Sequence, residues 1–421
     1  MNRTIRGAAA IAAIGALAIG SIGGSALAQD QTLRVAMGSP GDTAIPVWDD
    51  IKAQYEAAHP GWTVDMNYMD DDLYETIGLQ NLLAGRNAPD VYFEWTGSRL
   101  AQRYADGYAA DLTTAVTTGP IAGLFDDAVF PAATVDGKVV MVPHTADVSN
   151  VLFYNKQILA DAGITPPTTW DELLAACDTL AAKDIIPIAS GNKDLWAAGN
   201  WLSHMASRVV GEDVYDATLS GTGKFDTPEW EKAFGYIADL RAHKCVNDSA
   251  NAIDDNAGAQ LFFQGQAAMH AIGSWLVSWA VSDAPTLDFD YVNLPAMPEG
   301  SAGNQDSVIG VETGYVVNAK SDKIDAAVDY LALVNSDANV QAFIGAELNP
   351  IAKSAATSSG MDSRSTRLAK LLSTAPAVVL PPDTGYDLKM ANALFSAEAA
   401  VLGGQMTPKD ALAGIDQQLG R

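Results

Sequence analysis

The sequence predicts an α/β fold whose first part builds a doubly wound parallel sheet. Strand-like apolar segments lie at 33–37, 63–68 and 91–95, and segments with helical periodicity separate them. This β-α-β-α-β order favours parallel strands with helices on both faces of the sheet. In open sheets of this kind ligands bind beyond the carboxyl ends of the strands, so the loops after these strands are the first candidates for a site.

Length and charge narrow the class of protein. The chain has 421 residues, 48% hydrophobic and 18% charged. Domains usually hold roughly 100–200 residues, so at least two domain-sized cores are expected. The formal net charge of −26 argues against nucleic acid and anionic membrane surfaces as partners.

Residues 1–28 have the pattern of a secretory signal peptide. Arg3 and Arg6 precede a run rich in Ala, Ile and Gly, and Ala26-Leu27-Ala28 is a small-x-small cleavage site. We expect cleavage after Ala28. No lipobox cysteine follows that site, and no later segment is long and apolar enough for membrane insertion, so a periplasmic protein is expected.

The loops after the first and third strands hold the first candidate ligand contacts. Asp42 lies in the Gly- and Pro-rich loop after the first strand, where Asp42 or Thr43 is expected to cap a helix with Pro46 in its first turn. The strand at 91–95 ends in Glu94 and Trp95. All these residues belong to the carboxyl edge of one predicted sheet.

The second half of the chain offers a similar arrangement. A strand predicted at 185–189 leads into a polar loop that ends at Trp196, where ligand contacts are again expected. A helix predicted to end at Phe262-Phe263 leads through Gly265 into a buried strand at 267–272, and Gly273-Ser274-Trp275 follows. Trp275 either stacks on the apolar face of a sugar ring or plugs a core, and its position alone does not separate these interpretations.

The sequence shows little that points to catalysis. The five histidines have no metal-ligand spacing, and no nucleophile-elbow, zinc or phosphate-loop motif occurs, so no cofactor, metal site or catalytic residue is expected. Acidic pairs such as Asp126-Asp127 could in principle serve a glycosidase. In a chain this acidic, such pairs are more typical of solvated faces, helix caps and turns.

Several motifs in a fixed order resemble one family. They are F-x-x-G-x-A-A-M-x-x-x-G-x-W at 262–275, A-G-x-x-P-D-V at 84–91 with one extra residue, G-K-x-x-x-x-P at 137–143 followed by L-x-Y-N-K at 152–156, and T-P-x-x-A-L at 407–412. This set resembles the maltose-binding-like proteins of extracellular solute-binding protein family 1, which serve ABC importers. The resemblance spans nearly the whole mature chain.

The resemblance implies a periplasmic-binding-protein fold of type II, with two doubly wound lobes joined by a three-crossing hinge. The lobes are expected at 29–145 with 312–352 and at 146–311 with 353–421. The crossings are expected near 144–149, 309–314 and 349–353.

The resemblance also implies a function. It indicates a monomeric protein that binds a carbohydrate, either a mono- or an oligosaccharide, and delivers it to an ABC permease. The alternatives are a non-sugar solute, such as a polyamine or a glycerol-phosphate-like compound, and a secreted glycoside-active enzyme. The expected ligand contacts are Trp275, Asp42, Glu94, Trp95, Asp147, Trp196 and Glu312.

The two cysteines, Cys177 and Cys245, both fall in the expected second lobe. In an oxidising compartment they can pair, and two buried free thiols are nearly as consistent with the sequence.

Overall fold

The structure is a computed structural model that describes residues 31–357 and 359–421. The predicted signal peptide and its cleavage site after Ala28 lie outside the described residues. Among those residues, no helix has both the length and the apolar character needed to cross a membrane.

The strands, in chain order, are β1 Thr32–Gly38, β2 Thr63–Met69, β3 Val91–Trp95, β4 Thr134–Val135, β5 Lys138–Val139, β6 Val142–Val148, β7 Val151–Asn155, β8 Ile186–Ala189, β9 Ala267–Ile272, β10 Phe289–Val292, β11 Val308–Val317 and β12 Val378–Val379.

The α-helices, in chain order, are α1 Ile45–Ala58, α2 Asp71–Leu73, α3 Leu79–Ala84, α4 Ser98–Ala105, α5 Thr113–Thr117, α6 Lys156–Ala162, α7 Trp170–Ala181, α8 Trp196–Val210, α9 Glu212–Leu219, α10 Pro228–Ala242, α11 Asp255–Phe263, α12 Leu276–Asp283, α13 Ile324–Val334, α14 Asp337–Gly345, α15 Ser363–Thr374, α16 Pro382–Gly385, α17 Leu388–Leu402 and α18 Pro408–Leu419. A π-helical turn, Tyr74–Gly78, joins α2 to α3.

The first sheet has the parallel start that the sequence predicts. Strand β1 pairs in parallel with β2 on one side and with β3 on the other. The sheet then continues with β11, from much later in the chain, which pairs antiparallel with both β3 and β6. It is therefore a mixed sheet, and β6 and β11 carry the chain out of it.

The second sheet has the order β10-β7-β9-β8. Strands β8 and β9 are parallel, whereas β7 is antiparallel to both β9 and β10. Helices α7, α8, α10, α17 and α18 contribute to the large apolar core on this sheet. Just after β9, the Ser274 amide donates to the carbonyl of Val148 at the end of β6, which brings the segment after Ile272 to the junction between the sheets.

Separate apolar cores pack against the two sheets. Along the chain, the buried residues switch from the core of the first sheet to the cores of the second sheet between Val142 and Val148. They switch back between Val308 and Tyr315. They switch a third time between Ala352 and Leu368. The first two changes overlap the crossings expected near 144–149 and 309–314, and the third begins at the end of the one expected near 349–353. The crossings and the lobe boundaries stay a prediction.

One local expectation is corrected by the structure. Neither Asp42 nor Thr43 caps α1: the N-cap is Ala44, which makes no side-chain cap, and the Thr43 hydroxyl donates to the carbonyl of Ala346. The first crossing lies within a strand, because residues 142–148 pair with β11. At the start of α7, Thr169 and Glu172 form a capping box.

Cys177 in α7 and Cys245, just after α10, form a disulfide in the structure. Both are fully buried in the main core of the second lobe. The bridge links two segments that are 68 residues apart and ties α7 to the segment that leads back to β8.

Candidate functional site

The main cavity lies at the junction of the two sheets. It encloses about 1270 Å³ of space between atoms, including the open volume at its mouth. Its walls come from the first lobe, from the crossing segments and from the second lobe. This is the place at which an α/β sheet of this type is expected to hold a ligand.

Aromatic side chains dominate the first-lobe wall. Phe93 and Trp95 project from β3, Tyr315 projects from the neighbouring β11, and Trp48 and His144 lie beside them. The Phe93 and Trp95 rings meet edge to face at 4.8 Å, and Phe93 and Tyr315 meet in the same way at 5.8 Å. These mutual contacts hold the rings in place before any ligand arrives.

Strand alternation removes two expected contacts from this wall. Because neighbouring residues of a strand face opposite sides, Trp95 lines the cavity while Glu94 points away from it. On β11, Val311 and Thr313 line the cavity, whereas Glu312 between them does not. The expectation that Glu94 and Glu312 face the cleft is thereby corrected.

Glu94 instead supports the wall from behind. Its carboxylate is completely buried, accepts a hydrogen bond from Arg103 Nε at 2.7 Å and lies 3.3 Å from Arg99 Nε. Arg99 also donates to the Glu75 carboxylate at 2.8 Å, and its guanidinium lies 4.6 Å from the centre of the Trp95 ring. This ionic network fixes the Trp95 indole through a cation–π contact.

The second-lobe wall carries two more of the expected aromatic residues. Trp196 begins α8 and Trp275 precedes α12, and their ring centroids are 6.1 Å apart with planes inclined by 49°. Both rings are only partly buried and both line the cavity. Trp279, one helical turn after Trp275, lines it as well.

Asn200 and Asp383 form a polar pair on the same wall. Asn200 lies one turn after Trp196 on α8, and its side-chain amide donates to Asp383 Oδ2 at 3.3 Å. Asp383 is 7% exposed and Asn200 6%, yet Asp383 Oδ1 and Asn200 Oδ1 accept no hydrogen bond within the described residues. Burial raises the pKa of Asp383 to about 6, against the opposing effect of the Arg99 charge.

Asp147 occupies the first crossing and faces the cavity, as expected. Its Oδ1 accepts from the Ser274 hydroxyl at 2.7 Å, and its Oδ2 accepts from the Thr145 hydroxyl at 3.2 Å. The Thr145 and Thr313 hydroxyls are in turn 2.7 Å apart. Burial raises the pKa of Asp147, and the two hydrogen bonds oppose that rise. The carboxylate thus connects both crossing strands to the residue before Trp275.

His144, also on the first crossing, is an uncharged member of the wall. Its ring packs at 4.7 Å from Phe343 and 5.3 Å from Tyr315. Burial lowers its pKa to about 4, so the imidazole is neutral near pH 7.

Asp42 lies in a second cavity that adjoins the first. This cavity, about 970 Å³ with the open volume at its mouth included, shares Ser39, Asp71, Trp196 and Trp279 with the main one. The expected contact at Asp42 therefore belongs to an extension of the cleft rather than to its centre.

Sequence reasoning missed several lining residues. Asn200, Glu347 and Asp383 come from segments with no motif, although Glu347 and Asn349 adjoin the expected third crossing. The Pro381-Pro382-Asp383 turn was the available signal for Asp383, because two prolines fix the backbone before a polar side chain.

Comparison with known families identifies the chain's relationship. The model of the family described as bacterial extracellular solute-binding protein matches residues 22–341. The chain belongs to this family. The expected relationship is thereby confirmed, and the cleft of this solute-binding protein lies between its two sheets.

Individual relatives of this solute-binding protein are distant. An uncharacterized ABC transporter extracellular-binding protein of Pyrococcus horikoshii is 25% identical over 262 residues, which cover 61% of this chain and 57% of that protein. The solute-binding protein therefore spans less than two thirds of the length of that curated relative.

Two solved structures share the fold. One, from work on xylan utilization by the thermophilic bacterium Caldanaerobius polysaccharolyticus, has a TM-score of 0.84 at 23% identity and covers 92% of this chain and 100% of that one. The other is a chitin oligosaccharide binding protein with a TM-score of 0.83 at 22% identity, covering 92% and 98%. The type II periplasmic-binding-protein fold predicted for this solute-binding protein is confirmed.

Proposed function

We propose that this protein is the periplasmic substrate-binding component of an ABC importer. It binds a mono- or oligosaccharide in the cleft between its lobes and delivers it to the membrane permease. The observation that carries this proposal is the cavity at the junction of the two sheets, with indole rings on both of its walls.

The chemistry of the walls suits a sugar. Trp95, Trp196 and Trp275 offer flat apolar faces to the C–H faces of pyranose rings. Asp147, Asn200 and Asp383 offer oxygen acceptors to hydroxyl groups around those rings. Xylan and chitin oligosaccharides, named for the two similar structures, are chains of such rings, which supports the same ligand class here.

The remaining parts of the proposal follow from family membership and the leader pattern. An extracellular solute-binding protein with a secretory leader works in the periplasm, as a monomer that docks on its permease. Binding without chemical conversion is the activity proposed, with no cofactor and no catalytic residue. The residues proposed to contact ligand are Trp95, Asp147, Trp196 and Trp275 from the expected set, with Asn200 and Asp383 added and Asp42 at the extension.

A polyamine is the second candidate ligand. It is favoured by one observation, namely that the described residues lining the main cavity include five carboxylates and neither Lys nor Arg. The same observation disfavours a glycerol-phosphate-like ligand, because phosphate sites use Arg, Lys or clustered backbone amides.

A thermal-shift screen of the purified mature chain tests the proposal. Sugars of increasing chain length and spermidine are added separately, and any hit is followed by titration of tryptophan fluorescence. A sugar that raises the melting temperature supports carbohydrate binding, whereas stabilisation by spermidine alone would favour the second candidate. Chromatography of the recovered sugar should show it unchanged, and turnover would reinstate the glycosidase alternative.

A further inference from the structure

Among the described residues, the charged side chains that line the cleft are all acidic. The main cavity is lined by the carboxylates of Asp71, Glu75, Asp147, Glu347 and Asp383. The adjoining cavity, which shares Asp71, adds four more carboxylates: Asp42, Asp70, Asp255 and Asp283. Among the described residues that line either cavity there is no Lys or Arg, and the lining histidine, His144, is neutral.

The acidity of the whole chain does not account for this pattern. The chain holds 25 Lys and Arg against 51 Asp and Glu, so nine charged side chains drawn at that ratio would include about three basic ones. Basic residues do lie nearby, behind the wall. Arg99 and Arg103 are held by Glu75 and Glu94.

Two buried oxygens on the cavity wall lack a donor. Asp383 Oδ1 and Asn200 Oδ1 are buried atoms without a hydrogen bond in the described residues, and both side chains line the main cavity. Each is an acceptor, and a buried acceptor without a donor is unfavourable because it has lost its hydrogen bonds to water. A ligand group that only donates hydrogen bonds would satisfy both.

The aromatic residues add to this preference. Trp196 and Trp279 line both cavities, and Trp275 stands beside Trp196 at 6.1 Å. Indole faces attract cations as well as C–H groups, most strongly where water is excluded. Carboxylates, donor-free acceptors and indole rings together form a site for an ammonium group.

We propose that the ligand is an amino sugar, in which a protonated amine replaces a hydroxyl group and lies near Asp383 and Asn200. This inference rests on the proposed carbohydrate-binding function and adds the charge of the ligand to it. The two cavities adjoin and share four lining residues, so the proposed ligand extends to an oligosaccharide of such units.

Burial of the cleft carboxylates also favours a positively charged ligand. It raises the pKa of Asp147, Glu347 and Asp383, which means that each carboxylate is destabilised as an anion in the ligand-free cleft. A cation at van der Waals distance relieves that cost, whereas a neutral hydroxyl does so only through its hydrogen bond.

The test compares sugars in matched pairs by calorimetric titration. The pairs are glucosamine with glucose, galactosamine with galactose, and the β-1,4 trimer of glucosamine with cellotriose. The pH is set about one unit above the pKa of Asp383, where most of the carboxylate is ionised and most of the sugar amine is still protonated. We expect the amine member of at least one pair to bind at least tenfold more tightly than its neutral partner.

The failures of the two proposals are distinguishable. Equal or tighter binding of the neutral member in every pair that binds would overturn the charge inference and leave carbohydrate binding intact. The same holds if none of the pairs binds while another neutral sugar does. If no sugar binds at all, both proposals are overturned, including the case in which spermidine binds alone.

Variants locate the effect. Asp383→Asn keeps the shape and one acceptor and should reduce the preference for the amine at least tenfold, with circular dichroism to verify folding. Asp283→Asn, at an exposed position of the adjoining cavity, should reduce affinity for the glucosamine trimer without endangering the fold. The matched control is Asp213→Asn on the exposed surface of α9, outside both cavities, which removes the same charge and should change nothing. If Asp213→Asn reduces the preference for the amine as much as Asp383→Asn does, the preference comes from the overall negative charge of the protein. The position assigned to the amine, near Asp383, is then wrong.

Discussion

The indole of Trp275 folds back over Gly273, so that a Cβ on Gly273 would collide with the six-membered part of the ring. Ser274 between them is anchored on both sides, because its amide donates to the Val148 carbonyl at 2.8 Å and its hydroxyl donates to Asp147. The absence of a side chain at Gly273 therefore leaves space for the indole ring. The hydrogen bonds of Ser274 to the first crossing strand hold this segment in the cleft. Trp275 is thus positioned by its backbone, and its partly buried side chain packs against one edge of an apolar core of the second sheet.

Replacing Trp275 by Ala should weaken sugar binding and leave the ligand-free fold nearly intact. Stacking on a sugar ring with its desolvation is worth about 1–3 kcal/mol, which corresponds to roughly tenfold to hundredfold in affinity. Fluorescence titration and thermal melting on the same variant measure both quantities. The control is Trp230→Ala, because Trp230 is completely buried in the second-lobe core and its loss should cost about 3–5 kcal/mol of stability. A Trp275→Ala protein that melts like Trp230→Ala but binds normally would assign Trp275 to the core.

The strands and helices that form the site were easier to predict than the direction in which their side chains point. Strand β9 has the predicted bounds, because residues 267–272 are apolar except for His270 and lie between Gly265 and Gly273, which leaves little choice of structure. The adjacent residues Glu94 and Trp95 were expected to act together, yet strand alternation places them on opposite sides.

Long-range contacts account for what the sequence does not reveal. Asp147 and Ser274 are 127 residues apart, and Asn200 and Asp383 are 183 apart, so each pair exists only after the lobes have assembled. A motif can indicate that a residue follows a strand. It carries no information about which distant side chain completes the hydrogen bond.

The disulfide of Cys177 and Cys245 should persist in the secreted protein and stabilise the second lobe. In the chain-entropy model, closing a loop across 68 residues contributes about 4 kcal/mol. Mass spectrometry after alkylation without reductant should find neither thiol labelled, and the double substitution Cys177→Ala with Cys245→Ala should lower the melting temperature. Two labelled thiols in freshly purified periplasmic protein would reject the bridge.

Glu398→Gln should stabilise the protein more as the pH rises. Glu398 is completely buried, the Ser203 hydroxyl donates to its Oε1 at 2.9 Å, and burial raises its pKa well above the ordinary 4.5. A raised folded-state pKa means that the contribution of this group to stability is fully present below 4.5 and is lost as the pH rises through the folded-state value. Gln cannot ionise, so the variant does not lose stability in this way as the pH rises.

Melting curves of Glu398→Gln and the parent from about pH 5 to about pH 9 measure this effect. The difference in melting temperature should widen with pH. Glu229→Gln at an exposed position of α10 is the matched control and should give a constant difference. A constant difference for Glu398→Gln as well would mean that its carboxyl titrates normally in the folded protein.

Gly97→Ala should impair closure of the two lobes. Gly97 precedes α4 in the first lobe, and a Cβ there would collide with the Thr384 carbonyl on the second-lobe segment. The neighbouring Ser98 hydroxyl donates to the same carbonyl at 3.2 Å, so this is a point of close backbone contact between the lobes. Overpacking of this kind costs about 1–3 kcal/mol, and binding that requires the contact should weaken by roughly tenfold or more.

The control for Gly97→Ala separates closure from backbone strain. Gly97 has a φ of +97° and Gly107 a φ of +72°, so Ala is strained at both positions, but a Cβ on Gly107 would meet nothing within 4 Å. Both variants should therefore melt at a lower temperature, while only Gly97→Ala should lose affinity. Small-angle scattering should show a ligand-induced decrease in the radius of gyration for the parent and for Gly107→Ala, and a smaller decrease for Gly97→Ala. Equal affinity and equal compaction in the two variants would show that the contact of Gly97 with Thr384 plays no part in binding.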